Sequence, residues 1–309
     1  MIFVCIPIFN RLPYTIKCID SILLQSDCPP YKIIICDDGS TDGTSDYLKK
    51  HYPQVVVLQG DGNLWWTGGI NMCVRYALSL ADKDDYIFTL NNDTELFDDT
   101  LQQLVEFSKV KPNSIIAGVN LFFNDTNKIE VTAFREKGTF LFPKNINLLY
   151  PWGTDIHSFK HTYEEVHALS GKGVLIPVEV FHSMGLYNSD KLPHYHADTE
   201  FTRRAERGGY KNYIFYKARI KTHQELTGAT QANLNFKNFL NSFFTIRSTN
   251  HLQSMYNFSH LMYGKTAIPY FLYTGLAICW DFIRRYTESI TSHHPKSLVP
   301  KKKIHSIKS

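Results

Sequence analysis

Lys32-Ile33-Ile34-Ile35-Cys36-Asp37-Asp38-Gly39-Ser40 sets four apolar residues in a row and stops them on two carboxylates and a glycine. The β-rich run predicts a strand, and Asp-Asp-Gly-Ser predicts the turn that ends it. Upstream, Phe3–Ile8 reads as a first strand ended by Asn10. Pro13 is suited to a first helical turn, and Ile16, Ile19 and Leu23 keep helical spacing after it. Downstream, a helix is expected from about Thr44 and a strand over Val55–Leu58. A second helix opens at Gly68-Gly69, with Ile70, Val74, Ala77 and Leu78 on one face. Tyr86–Leu90, Thr100–Val110 and Ile115–Val119 continue as strand, helix and strand. Such alternation predicts an α/β fold with a mainly parallel sheet and right-handed crossovers.

The stretch Asn120–His167 is less regular and rich in aromatic residues and Asn, as an antiparallel excursion or a substrate-covering region would be. Ala168–Pro177 returns to a strand pattern, with Gly171 and Gly173 allowing close approach of another segment or a ligand. Asp198–Gly208 reads as a short charged helix and Tyr213–Tyr216 as a further strand. From Phe236 the pattern turns helical and aromatic.

With 309 residues, 43% hydrophobic and 14% aromatic, the chain is too apolar to be disordered. Its net charge of +4 is unevenly placed. Of 33 Lys/Arg and 29 Asp/Glu, seven and two lie beyond residue 280, which leaves the first 280 residues at −1. A nucleic-acid partner is therefore not expected. Six cysteines without a C-x-x-C pair suit a reduced compartment. The apolar N-terminus lacks a basic start and a small-residue cleavage site, so it reads as a strand and not as a signal peptide.

Ligands of an open parallel sheet bind outside the carboxyl ends of its strands. Two polar clusters fall there, Asp37-Asp38 and Asn91-Asn92-Asp93. Either alone is an ordinary turn; together they suggest a shared polar cleft. There is no G-x-x-x-x-G-K-[ST], and Gly60-Asp61-Gly62-Asn63-Leu64-Trp65 misses the last glycine of G-x-G-x-x-G. A nucleotide ligand would then need a divalent cation, Mg²⁺ or Mn²⁺, on Asp93, and helix-start N–H groups at Gly68 and Gly69 facing its diphosphate.

The ordered set Ile6-Pro7-Ile8-Phe9-Asn10, Cys36-Asp37-Asp38-Gly39-Ser40-Thr41-Asp42-Gly43-Thr44 and Leu90-Asn91-Asn92-Asp93-Thr94-Glu95 resembles family 2 glycosyltransferases of the GT-A fold. Gly62-Asn63-Leu64-Trp65-Trp66-Thr67-Gly68-Gly69-Ile70-Asn71 is similar to a bacterial rhamnosyltransferase-like subgroup. Leu192-Pro193-His194-Tyr195-His196-Ala197-Asp198-Thr199-Glu200-Phe201 resembles the segment that bears the catalytic base. The likeness runs over about residues 1–230. It implies a GT-A catalytic domain over 1–235, with a nucleotide-sugar half to about 120 and an acceptor half after it, and a helical extension over 236–309.

The resemblance assigns Asp37 to the nucleobase, Asp93 to the metal and diphosphate, and Asp198 to the general base. Pro7, Phe9, Asn10, Trp65, Trp66, Gly68, Gly69 and Asn92 would line the donor site. It implies an inverting transfer from a nucleotide-diphosphate sugar, dTDP-rhamnose before a UDP-sugar, to a glycan acceptor of lipid-linked type. Two departures stand out: Asn91 replaces the first acid of the family's D-x-D, and Ala197 the acid that often precedes the base.

Other readings of the same residues stay open. Asp38 fits a turn or a ribose contact, and Asp198 fits a helix N-cap. Glu200 and Arg204 fit an i,i+4 ion pair. His223 is a nominee for the metal or diphosphate, and Trp65 and Trp66 fit the core as well as a sugar or base platform. Thr266–Trp280 is uncharged, too short to cross a bilayer comfortably, and is followed by Arg284-Arg285 and Lys301–Lys303. This suits a helix on an anionic membrane surface, at the cytoplasmic inner face of the cell membrane; a packed helix or homodimer contact is the alternative. The competing functional reading is a non-catalytic nucleotide-sugar or glycan-binding protein of the same fold.

Overall fold

The computed structural model describes residues 1–131, 133–137, 145–223 and 235–291. The basic cluster Lys301–Lys303 lies outside them. β1 (Ile2–Ile8), α1 (Leu12–Leu23), β2 (Tyr31–Asp37), α2 (Thr44–His51), β3 (Val56–Gln59), α3 (Trp65–Leu78) and β4 (Tyr86–Thr89) alternate as the apolar periodicity requires. These four strands pair in parallel in the order β3-β2-β1-β4. All seven residues of β1 are buried. Phe3 and Cys5 pack with Ile70, Cys73 and Val74 of α3 on one face, while Ile2, Val4 and Ile6 pack with Cys18, Ile19 and Ile22 of α1 on the other. Burial on both faces is why the strand sequences are continuously apolar.

After β5 (Thr94–Leu96) and α4 (Thr100–Val110), β6 (Ser114–Phe122) rejoins the sheet. β7 (Asp125–Ile129), β8 (Ala133–Lys137), β9 (Asn145–Leu148) and β10 (Tyr163–Val166) fill the irregular middle of the sequence. β11 (Ala168–Leu169) and β12 (Val174–Pro177) then precede α5 (Val178–Met184), α6 (Ala197–Arg207) and β13 (Lys211–Thr222). The sheet continues from β4 as β12-β6-β13-β10, with β5 on β13 and β7 on β6; a second sheet runs β11-β8-β9. β12 is antiparallel to both β4 and β6, so the C-terminal part of the sheet is mixed.

The strand expected over Ala168–Pro177 is broken at Ser170–Gly173. Gly173 has φ +76°, and a Cβ there would stand 1.8 Å from Ile220 Cδ1. Its N–H still donates to Thr89 O and its carbonyl accepts from Gly118 N–H, so the kink stays bonded to both neighbours. The break aims Gly171 and Lys172 at the cleft described below.

α7 (Phe236–Ser242), α8 (Leu252–Tyr263) and α9 (Ala267–Thr291) complete the described residues. Phe258 and Met262 of α8 join the main core, and Phe282 of α9 stacks on Phe239 of α7 at 4.0 Å. Ile268, Leu272, Leu276, Trp280 and Ile283, spaced by four and lastly three residues, form a stripe along α9 that is exposed by 46–72%.

Candidate active site

A cleft of about 830 Å³ opens beyond the carboxyl ends of β1, β2 and β4, walled by residues from both halves of the chain. Buried polar atoms are normally paired. Here Asp93 Oδ1, Glu130 Oε2, Ser170 Oγ and His194 Nδ1 are buried without a partner among the described residues, and all four residues line this cleft. Backbone strain gathers in the same place. Asn10, Arg11, Trp65 and His196 are non-glycine residues with φ between 56° and 72°, and each lines the cleft.

Pro7, Phe9, Asn10, Asp38, Trp65, Trp66, Asn92, Asp93 and Asp198 are all brought to the cleft. Asn10 ties the end of β1 to the loop after β2: its N–H donates to Ser40 Oγ and its Oδ1 accepts Thr41 N–H. Asp38 accepts the N–H of Gly62 and of Trp65, each at 2.9 Å, and so shapes the turn that delivers the two tryptophans. Trp66 donates its indole N–H to Asn91 Oδ1 at 2.8 Å. Arg247 lies over the Trp65 ring at 5.7 Å.

Four expectations are corrected by the geometry. Asp37 is 1% exposed and does not line the cleft; its oxygens accept Ser40 N–H and the Ser45 hydroxyl, which makes it a brace for the β2–α2 turn. Gly68 and Gly69 do not open the helix, which starts at Trp65. The Gly68 N–H donates to Leu64 O, and a Cβ on Gly69 would sit 2.9 Å from Pro7 Cβ, so Gly69 serves close packing of α3 on β1. His223 does not line the cleft either: its Nε2 lies 2.9 Å from Glu95 Oε1 and its ring stacks on Phe123 at 3.9 Å. Asp198 is not the N-cap of α6; His196 holds that position.

Asp198 instead presents its carboxylate to the cleft from the first turn of α6. Its Oδ2 accepts Gly171 N–H at 2.7 Å and its Oδ1 accepts Thr199 N–H at 2.7 Å. A Cβ on Gly171 would lie 2.8 Å from Trp66 Cζ2 and 3.1 Å from Asp198 Cβ, so the contact requires glycine. Glu200 and Arg204 form the i,i+4 pair at 2.9 Å, with Arg204 also bonded to carbonyls of the 184–186 segment.

α3 joins the two walls. Thr67 donates to the carbonyls of Pro193 and Leu192, and Asn71 makes a reciprocal pair of bonds with the backbone of Tyr187. The segment leading to Asp198 is thereby pinned to the helix that carries Trp65 and Trp66.

Residues that sequence reasoning did not nominate also face the cleft. Lys172 lies 3.3 Å from Glu130 Oε1. Burial works against its charge, but Glu130, Asp93 and Asp198 outweigh that and raise its pKa, so it is an ammonium. Burial, with Arg247 and Arg11 nearby, lowers the His194 pKa to about 4 and keeps the imidazole neutral at pH 7. The signal for His194 was its place beside Asp198 in the sequence; Glu130 and Arg247 offered none.

A divalent cation fits in a limited way. Asp93 Oδ1 is an unpartnered buried carboxylate oxygen, but Asn91 Oδ1 is taken by Trp66 and His223 by Glu95. No group of three or more His, Cys, Asp or Glu able to hold a metal occurs among the described residues. Asp93 would hold such a cation, with the remaining ligands coming from a bound diphosphate and water.

Comparison with known proteins agrees with this architecture. The Glycosyl transferase family 2 profile matches residues 3–169, more than half of the chain. Poly(ribitol-phosphate) beta-glucosyltransferase of Bacillus spizizenii is 32% identical over 121 residues, 38% of this chain and 18% of that protein. Chondroitin synthase of Escherichia coli is 31% identical over 94 residues, 28% of this chain and 13% of that protein. The uncharacterized glycosyltransferase MG025 of Mycoplasma genitalium is 32% identical over 109 residues, 34% of this chain and 35% of that protein. The matched segment therefore spans about a third or less of each relative. In fold, the chain is similar to the crystal structure of GalNAc-T7 with UDP, GalNAc and Mn²⁺, with TM-score 0.53 and 14% identity over 72% of this chain and 43% of that one. The strand order, the helices on both faces and this likeness make the fold GT-A. With a profile that runs from β1 through the Asp93 strand end to Leu169 at the end of β11, the chain belongs to glycosyl transferase family 2.

Proposed function

We propose that this chain is an inverting glycosyltransferase that moves a sugar from a nucleoside-diphosphate donor to a hydroxyl of a growing glycan. The observation that carries the reading is the convergence on one cleft of four buried polar atoms without a partner among the described residues, one of them on Asp93, beside the Asp198 carboxylate. A cleft built this way is completed by a polar ligand with many hydroxyl and phosphate groups.

Asp198 holds the proton-accepting oxygens, fixed by Gly171 and Thr199, and takes the proton of the acceptor hydroxyl as that oxygen attacks C1. The C1–O bond to the diphosphate breaks on the opposite face, and configuration inverts. Asp93 would hold a divalent cation, which when bound supplies positive charge where the leaving diphosphate gains negative charge. Trp65 and Trp66 offer ring faces for the nucleoside or sugar, and Arg247 and Arg11 give the mouth of the cleft a positive rim.

The Trp65-Trp66-Thr67-Gly68-Gly69 likeness favours dTDP-rhamnose; a UDP-sugar is the other donor to test. The acceptor is proposed to be lipid-linked and the enzyme to work at the inner face of the cell membrane. The exposed stripe of α9 supports this, as does the fact that Leu252–Ser289 contains a helix long and apolar enough to cross a membrane by length and composition. The test is thermal unfolding against a panel of nucleotide sugars with and without Mn²⁺, followed by transfer assays on the stabilising donor. Stabilisation with turnover supports the enzyme. Stabilisation without turnover for any acceptor extract favours the binding protein of the same fold.

A further inference from the structure

We propose that Glu130, Lys172 and Ser170 form the subsite that reads hydroxyl groups of the sugar being transferred, an inference that rests on the function proposed above. Glu130 follows β7 and is anchored to β6 by its N–H to Asn120 O at 2.9 Å. Its side chain is 3% exposed yet lines the cleft. Oε1 meets Lys172 Nζ, and Oε2 has no partner among the described residues. Ser170 Oγ, two residues before Lys172, is buried and unpartnered in the same way. A buried carboxylate oxygen without a donor is costly, and a ligand O–H is the group that satisfies it.

The location points to the transferred sugar. Gly171, between Ser170 and Lys172, donates its N–H to the Asp198 carboxylate at 2.7 Å, and Glu130, Ser170, Lys172 and Asp93 line the same cleft. In the proposed reaction Asp93 marks the diphosphate and Asp198 the attacking hydroxyl, with C1 between them. A cluster that shares the cleft with Asp93 and adjoins the Asp198 contact is placed beside the sugar ring. A neutral polyol suits the subsite better than a second cation, because the Lys172 ammonium already balances Glu130. Carboxylate, hydroxyl and ammonium together accept from and donate to neighbouring sugar hydroxyls, and such a site rejects an analogue that lacks one of them.

The experiment is calorimetric titration of UDP, UDP-glucose, dTDP and dTDP-rhamnose, with Mn²⁺, into native protein, Glu130→Gln, and the double variant Glu130→Gln with Lys172→Met. The native chain should hold one sugar nucleotide more tightly than its own nucleoside diphosphate. Glu130→Gln should bind the nucleoside diphosphate as native does and lose on the order of tenfold for the sugar nucleotide. The double variant leaves no unpaired buried charge and gives the same readout if the single variant does not fold. An unchanged sugar preference in the folded variants, or equal weakening of both ligands, overturns the subsite alone. A native chain that prefers neither sugar nucleotide over its nucleoside diphosphate overturns the donor reading and the subsite with it.

Discussion

The side-chain oxygen of Asn91 accepts the indole N–H of Trp66 at 2.8 Å, which locks the ring to the strand end that also presents Asp93. An amide at position 91 thus has a structural job where a metal-binding acid was expected. Trp66→Phe leaves the Asn91 oxygen without its donor and should cost about 1–3 kcal/mol of stability, read from urea unfolding. Asn91→Asp keeps the acceptor and adds a charge beside Asp93. The Mn²⁺ concentration for half-maximal donor stabilisation should fall several-fold in that variant; an unchanged value would show that the ion does not approach position 91.

Asp198 depends on a neighbour that has no side chain. Gly171→Ala drives a Cβ toward Trp66 and Asp198 and should lower stability by about 1–3 kcal/mol while displacing the carboxylate. Asp198→Asn keeps the shape and one of the two backbone contacts, its amide nitrogen facing the other N–H, and should reduce kcat on the order of 10²–10⁴-fold with donor affinity retained. Full activity in Asp198→Asn, measured in single-turnover transfer, would remove it from the base role.

Acid should loosen the cleft through His194. Its pKa is about 4 in the folded chain against 6.5 as a free side chain, so between these values the unfolded state binds more protons. Stability is full above pH 6.5 and falls as the pH drops toward 4. His196 and His251, both lowered by burial, act in the same sense. Melting curves across pH 4–7 should show this slope, and His194→Asn should flatten it.

The α9 stripe should act at a surface. Replacing Leu272, Leu276 and Trp280 with Ser leaves the Phe282–Phe239 stack intact. The variant should keep the native melting temperature and lose co-sedimentation with anionic phospholipid vesicles. Retained co-sedimentation would assign the stripe to another partner.

Much of the donor side was legible because β1, β2 and β4 are buried on both faces, and such strands announce themselves as apolar runs that end in polar residues. Their ends bring Asp38, Asn92 and Asp93 to the cleft. The roles of Asp37 and of the Gly68-Gly69 pair were misread for one reason: sequence shows that a residue stands at a strand end or helix start, but not which way it faces. Asp37 turns inward to Ser45, and Gly69 turns to Pro7. The other wall was hidden more deeply. Glu130 and Lys172 are 42 residues apart and meet only because β12 runs antiparallel between β4 and β6, a pairing that no local pattern encodes.

The bonds from Thr67 and Asn71 to the 187–193 backbone make α3 a shared member of both walls. Recombination between family members would have to respect that. A chimera that takes residues 1–120 from one relative and the remainder from another would separate α3 from the carbonyls it was shaped to meet, and Asp198 would lose its alignment with the donor wall. A unit exchanged intact is therefore discontinuous, and joins the first six elements and the Asn91 strand end to Gly171 and the stretch from Tyr187 to Asp198.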